Sequence, residues 1–458
     1  MRRLSVLTTV AACVLASLVV DGAEAKTRNK PAVVHRAVVK HPVIRRPVAP
    51  KPLLVNGAPV KADAAASTSE KTPAAETATA AATPGLAPQR LTSALDTTGL
   101  GLLETLTTGK DAPANIAVSP LSLASVMALL DLGASPEMRL ALHKTLGLTA
   151  DKADAGADLD ALRGLIAPLM ASKDGSPLSG ASALLFDPAS KPFPLAVMGL
   201  KAAGAEVSTE KLSDPAALDR INAFISKATN GMIAKILDKA PEGAGLVALN
   251  GLYFKDSWLE PFDPSKTQDG AFAMPGKKSV TVPLMVSSPT PKFARMDDKF
   301  VAVRLPYGTK GYSLVLVTTK DGAAEVKDFR PALAWLGGEG FEKAQVPVQV
   351  TLPRFSLASS SDLLPGLDKL GLRPARLNSK SLSGLAPGPQ SIAKVVQKTV
   401  IKVDEKGTEA AAATAAVAQR SLELTEIKFD RPFLFALQHE ESGLVLMTGY
   451  VSDPSKAE

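Results

Sequence analysis

The chain has 458 residues, 46% hydrophobic and 4% aromatic, so a large aliphatic core is available to it, and its formal net charge is +7. That charge is unevenly placed: residues 26–62 carry nine Lys and Arg and no acid, whereas residues 63–458 carry 41 basic and 43 acidic residues. The bulk of the chain is near neutral, which gives nucleic-acid binding no footing and confines the basic character to one short segment.

The chain opens with "MRRLSVLTTVAACVLASLVVDGAEAKT". Arg2 and Arg3 precede an apolar run over 4–20 and a small-x-small site at Ala23-Glu24-Ala25, the pattern of a signal peptide spanning 1–25. A membrane anchor is the plainer alternative. The "VAAC" at 10–13 also fits lipoprotein processing, but the apolar run continues past Cys13 to Val20. Cys13 is the only cysteine, so a chain cut after Ala25 needs no disulfide even in an oxidising compartment. The expected location is secreted, extracellular or periplasmic. Beyond residue 25 no stretch is long and apolar enough to span a bilayer.

Residues 26–90 read as a disordered linker. The front half, "KPAVVHRAVVKHPVIRRPVAPKP", is basic and stiffened by proline; the rest is low-complexity Ala, Thr, Ser and Pro. Neither half buries enough apolar surface to offset the entropy of ordering. The linker is a passive spacer, or its basic residues 26–62 contact an anionic cell-envelope surface.

From about residue 91 periodic patterns begin. "LTSALDTTGLGLLETLTT", "SPLSLASVMALLDLGA" and "LDRINAFISKATNGMIAKIL" place apolar residues at helical spacing, the last interrupted by Gly231. "LVALNGLYF", "KSVTVPLMV", "FVAVRLPY", "YSLVLVTT", "VPVQVTLPRF", "AKVVQKTVIKVD" and "GLVLMTGYV" read as strands. Helices dominate early and strands late, without βαβ alternation. The fold class is therefore α+β, in one large domain over 91–454.

Catalytic chemistry finds few candidates. Beyond residue 90 there are two histidines, His143 and His439, both expected at the surface, and no cysteine. No nucleophile elbow, HExxH or phosphate loop occurs. "GLGLLE" at 99–104 lies inside a helical pattern, and the acidic "DKADAGADLD" at 151–160 reads as a solvated loop rather than a calcium site. An enzyme is not expected, nor is a metal or cofactor.

The C-terminal "IKFDRPFLFAL" (427–437) resembles the signature of the serpin family, including Asp430, Arg431, Pro432 and Phe433. "NIAVSPLSLASVMALLDLGA" (115–134), "LNGLYFKDSWLEPF" (249–262), "LPY" (305–307) and "DEKGTEAAAATAA" (404–416) resemble further family segments, in family order. The resemblance implies three β-sheets, eight or nine helices and an exposed reactive loop at about 405–425. It implies a metastable suicide-substrate inhibitor of serine proteases, the cut loop inserting into the main sheet. A non-inhibitory binding or carrier module is the alternative. A cysteine protease is a further target class, and a monomer is expected.

The loop residues suit a segment that must be exposed in one state and buried in another. The hinge comprises Glu405, Gly407, Thr408, Ala410 and Ala412. Strand alternation puts Thr408, Ala410 and Ala412 on one face, with no large or charged side chain to overpack a sheet. Gly407 supplies backbone freedom where the segment turns out. Family spacing puts the reactive bond at Ser421-Leu422, which favours elastase-like or subtilisin-like proteases. The chemistry of Arg420 favours Arg420-Ser421 and a trypsin-like pocket, and is slightly preferred.

Two departures from the family pattern stand out. The family histidine under the opening sheet, expected to bond residues matching Ser119, Ser122 and Asn250, is matched by Gln397. Glutamine offers a donor and an acceptor but no pH-dependent charge. "GASPEM" at 133–138 replaces a family turn and leaves the loop geometry there open.

Overall fold

The computed structural model describes residues 89–109, 112–148, 154–170, 175–211, 213–239, 245–276, 278–408 and 424–456, all within the unit Ala78–Glu458. In chain order the first half holds α1 (Gln89–Leu106), β1 (Asn115–Val118), α2 (Pro120–Asp131), α3 (Pro136–Thr145), α4 (Asp154–Met170), β2 (Leu178–Leu185), α5 (Pro194–Ala202), β3 (Ala205–Ser208), α6 (Pro215–Ala228) and β4 (Leu246–Phe254). Next come β5 (Asp256–Ser257), β6 (Gln268–Met274), β7 (Lys278–Val286), β8 (Phe293–Met296), β9 (Phe300–Pro306), β10 (Tyr312–Thr319), α7 (Leu333–Leu336), β11 (Glu342–Lys343) and β12 (Val348–Pro353). The chain continues through β13 (Phe355–Asp362), α8 (Leu364–Lys369), α9 (Arg373–Arg376), β14 (Ile392–Val403), β15 (Gly407–Thr408), β16 (Thr425–Lys428), β17 (Phe433–His439) and β18 (Leu444–Val451).

Among the described residues the strands form three main sheets and one two-stranded ribbon. A five-stranded sheet has the order β13-β14-β4-β2-β3, a seven-stranded sheet β1-β18-β17-β10-β9-β8-β11, and a four-stranded sheet β16-β12-β7-β6. Strands β5 and β15 make the ribbon. With nine α-helices among the described residues, the expected α+β architecture of three sheets and eight or nine helices is observed.

Burial explains the strand sequences. Every residue of β4 is buried, because α6 covers one face of the sheet and the main core the other. Helix α2 is buried at every position but Ser125, which accounts for its nearly uniform apolar sequence. Ser119 caps it by accepting a hydrogen bond from Ser122 N at 3.0 Å, with Pro120 in the first turn, where a missing N–H does no harm. In the "GASPEM" segment Ser135 caps α3 in the same way, accepting from Met138 N.

Two readings from periodicity are corrected here. The helical pattern continues past Gly231, but α6 ends at Ala228; Asn230 (φ +52°) and Gly231 (φ +79°) turn the chain left-handed. Ile233, Ile236 and Leu237 then stay buried against α6 without being helical. The acidic run at 151–160 is not simply a solvated loop: from Asp154 it forms the start of α4, and Asp158 is buried.

Candidate functional site

Strand β14 alternates, and its inward face carries Val395, Gln397, Thr399, Ile401 and Val403. Two of these are polar, and both are satisfied from the segment that leads into α2. Gln397 Nε2 donates to Ser119 O at 2.9 Å, and Gln397 Oε1 accepts from Ser119 N at 2.7 Å. Thr399 Oγ1 donates to Ala117 O at 3.1 Å. Ser119 Oγ in turn donates to Leu446 O of β18. Gln397 thus ties the inner face of the five-stranded sheet to the cap of the central helix.

Directly beside Gln397 in the register is Asn250 of β4. The two strands are parallel and paired from Ile392 to Val400 against Leu246 to Tyr253, with one irregularity near Ala393. Asn250 Nδ2 donates to Ser182 Oγ on β2 at 2.9 Å. Asn250 Oδ1 and Ser122 Oγ are buried and find no hydrogen-bond partner among the described residues. The structure therefore gathers Ser119, Ser122, Asn250 and Gln397 under one seam. It differs from the expected network in that Gln397 bonds the Ser119 backbone rather than the side chains of Ser122 or Asn250.

At its C-terminal end β14 runs into a tight turn in which Asp404 and Gly407 bond each other across two residues. Gly407 pairs with Ser257 and Thr408 with Asp256 in the β5–β15 ribbon. Gly407 has φ +149°, and a Cβ there would lie 2.2 Å from Asp256 O. A glycine is required by this close approach as well as by the turn. Trp258 Nε1 donates to Asp404 O at 2.9 Å, Trp258 N to Lys406 O at 3.0 Å and Phe262 N to Glu405 O at 2.8 Å.

Side chains add to this hold. Glu405 accepts from Arg354 and from Thr267 Oγ1. Burial opposes ionisation of Glu405, but the bonds from Arg354 and Thr267 outweigh it and keep its pKa below the ordinary value. Thr408 is fully buried, and its hydroxyl lies 2.8 Å from Tyr307 OH. Tyr307 stacks on Trp258 with centroids 4.5 Å apart, and burial pushes its pKa up. Thr408, placed in the hinge from the sequence, is thus buried beside Tyr307. Ala410, Ala412, Arg420, Ser421 and Leu422 lie outside the described residues.

Sequence reasoning singled out neither Thr267 nor Ser182, and gave Arg354 no role although it stands within the strand-like "VPVQVTLPRF". Trp258 and Tyr307 stood inside quoted motifs without a role. The histidines were misplaced. His143 is fully buried at the end of α3, with Nε2 2.8 Å from Asp158 Oδ2, and Arg90 bonds the same carboxylate. His439 is buried beside Ser442. Both face inward because α3 packs on α4 and because β17 is covered along its whole length. Among the described residues no group of three or more acidic, histidine or cysteine side chains could hold a metal ion.

A three-sheet α+β domain whose largest parallel seam is closed beside an anchored turn defines a structural class. The family model described as Serpin (serine protease inhibitor) matches residues 93–454, and the chain belongs to that family. It is 32% identical over 360 residues to the leukocyte elastase inhibitor of Bos taurus, covering 74% of this chain and 93% of that one. Serpin48 of the insect Tenebrio molitor superposes with a TM-score of 0.67 at 25% identity, covering 80% and 98%. Human thyroxine-binding globulin, in a structure complexed with its hormone, shares the fold with a TM-score of 0.68 at 24% identity, covering 81% and 99%.

Proposed function

We propose that the chain inhibits serine-type endopeptidases as a suicide substrate. The protease serine attacks the carbonyl of the reactive residue in the 405–425 loop; an ester forms, the peptide bond breaks and the amine side departs. The freed segment then enters the five-stranded sheet between β4 and β14 before water can release the acyl group.

The observation that carries this reading is the parallel pairing of β4 with β14, followed by the turn at Asp404–Gly407. A segment doubling back from that turn runs antiparallel to β14, and hence antiparallel to β4. One slanted parallel ladder is exchanged for two antiparallel ones, which are slightly more stable per residue. About ten newly paired residues at ~0.5–1.5 kcal/mol each contribute on the order of 10 kcal/mol. The segment from Thr408 to the acylated residue, Arg420 or Ser421, at ~3.3 Å per residue, moves the acylated end by roughly 45 Å. The name of the bovine relative, an elastase inhibitor, supports an inhibitory role. Export through residues 1–25 belongs to the same proposal.

The test is incubation with trypsin-, elastase- and subtilisin-like proteases. An SDS-resistant complex with at least one of them is expected, as is a higher melting temperature after cleavage in the loop. Clean cleavage without a stable complex and without a rise in melting temperature would favour the binding-module alternative.

A further inference from the structure

Behind the turn that holds the hinge lies a cavity of about 150 Å³ with a different chemistry. Its walls include Trp258, Phe262, Phe293, Arg304 and Lys343. Arg304 is half-buried on β9, opposite Phe293 in the β8–β9 register. Its guanidinium lies 4.6 Å over the Phe293 ring and 5.7 Å from Phe341. It makes no hydrogen bond or ion pair among the described residues. Cation–π contact with the two rings therefore holds the guanidinium in place while leaving its donors available.

Two further cations differ in what they are free to do. Lys292 is buried and committed, with Nζ bonded to Glu260, Ser288 O and Thr290 Oγ1. Lys343 sits opposite Phe293 in the β8–β11 pairing at the edge of the seven-stranded sheet, is exposed, and acts on Glu260 only at longer range. Once Lys292 and Glu260 offset each other, the pocket keeps two positive charges. Its rim exposes apolar surface at Leu259 and Phe293. At ~30 Å³ per water the volume equals about five waters, room for a ring or branched chain with one charged group.

We propose that this pocket binds a small organic carboxylate with a compact apolar body. The carboxylate is taken by Arg304 in a two-pronged contact, with Lys343 adding attraction from the rim. The body rests against Phe293, Trp258 and Phe262. Trp258 and Phe262 also donate the bonds that hold Asp404, Lys406 and Glu405, so an occupant stiffens the wall to which the hinge is anchored. A slower release of the loop on binding rests on the inhibitory reading; binding itself does not.

Calorimetric titration of the full chain with phenylacetate, in the absence of protease, tests the site and separates its failure from failure of the inhibitory reading. Saturable 1:1 binding is expected, at least about tenfold weaker for neutral phenylacetamide and for Arg304→Met. Lys343→Gln, on an exposed side chain that folding does not need, should weaken it severalfold. Phenylacetate should raise the melting temperature of the wild type and not that of Arg304→Met. No saturation up to about 10 mM phenylacetate overturns the proposal. So does equal affinity for the amide, or unchanged binding in Lys343→Gln and in folded Arg304→Met.

Discussion

Glu405 and Arg354 meet in a two-pronged ion pair: Arg354 Nε lies 2.8 and 2.9 Å from the two carboxylate oxygens, and a terminal guanidinium nitrogen lies 2.5 Å from one of them. Arg354 sits in the bend between β12 and β13, and Glu405 just beyond β14. The pair thus clamps the exit of one sheet strand to the junction with another sheet.

Loss of that clamp should be measurable as a function of pH. Arg354 is half-exposed, so water screens the pair, and Glu405→Gln should lower stability by about 1–2 kcal/mol at neutral pH. The carboxyl pKa is held below its ordinary 4.5 in the folded protein. The stabilisation is then fully present above about pH 4.5 and disappears as pH falls through the lowered folded value. Melting curves of wild type and variant should converge in acid. A constant difference down to pH 3 would assign the stabilisation to something other than ionised Glu405.

The buried hydroxyl pair of Thr408 and Tyr307 predicts coupling between the hinge and the strand beneath it. Thr408→Val and Tyr307→Phe should each lower stability by about 1 kcal/mol, and the double variant by less than the sum. A denaturation double-mutant cycle measures it. Strict additivity would mean that the 2.8 Å contact contributes nothing.

Since Thr408 is already enclosed, a charge there would damage the uncut protein as well as any insertion. Ala412→Arg is the cleaner probe. It should leave the melting temperature of the intact protein close to wild type while turning inhibitor into substrate, because the inserted face would bury an unpaired charge. The ratio of cleaved to trapped protein measures this. Undiminished trapping of protease by Ala412→Arg would rule out insertion of that face.

The position of the cut is decided by mass spectrometry of the C-terminal fragment from a trapped complex. A fragment beginning at Ser421 is expected, from a protease whose pocket selects Arg420. A fragment beginning at Leu422, together with full inhibition by Arg420→Ala, would move the reactive bond to Ser421-Leu422 and the target to proteases with shallow pockets.

Residues 26–62, with nine positive charges and no acid, are expected to tether the chain to anionic envelope surfaces without affecting inhibition. Binding of the chain from residue 26 onward to anionic vesicles should fall with added salt. Equal binding by a chain starting at residue 91 would remove the segment from that role.

What the amino-acid order determined by itself was local. The Ser119-Pro120 start of α2, the mostly apolar run of β4 around Asn250 and the alternation of β14 are written in neighbouring residues. Capping and burial on one or both faces act over a few positions, so such elements are legible without a structure. The small residues of the hinge are legible for the same reason, since side-chain volume is a property of each position alone. Tertiary structure decided the partners. Arg354 lies 51 residues before Glu405, and Tyr307 lies 101 before Thr408. Nothing near Thr408 in the chain marks it as buried, and nothing near His143 marks Asp158 as its partner. Burial and pairing at these positions depend on which distant strands and helices pack together. That is set by the summed burial of the whole core, and no single stretch carries it.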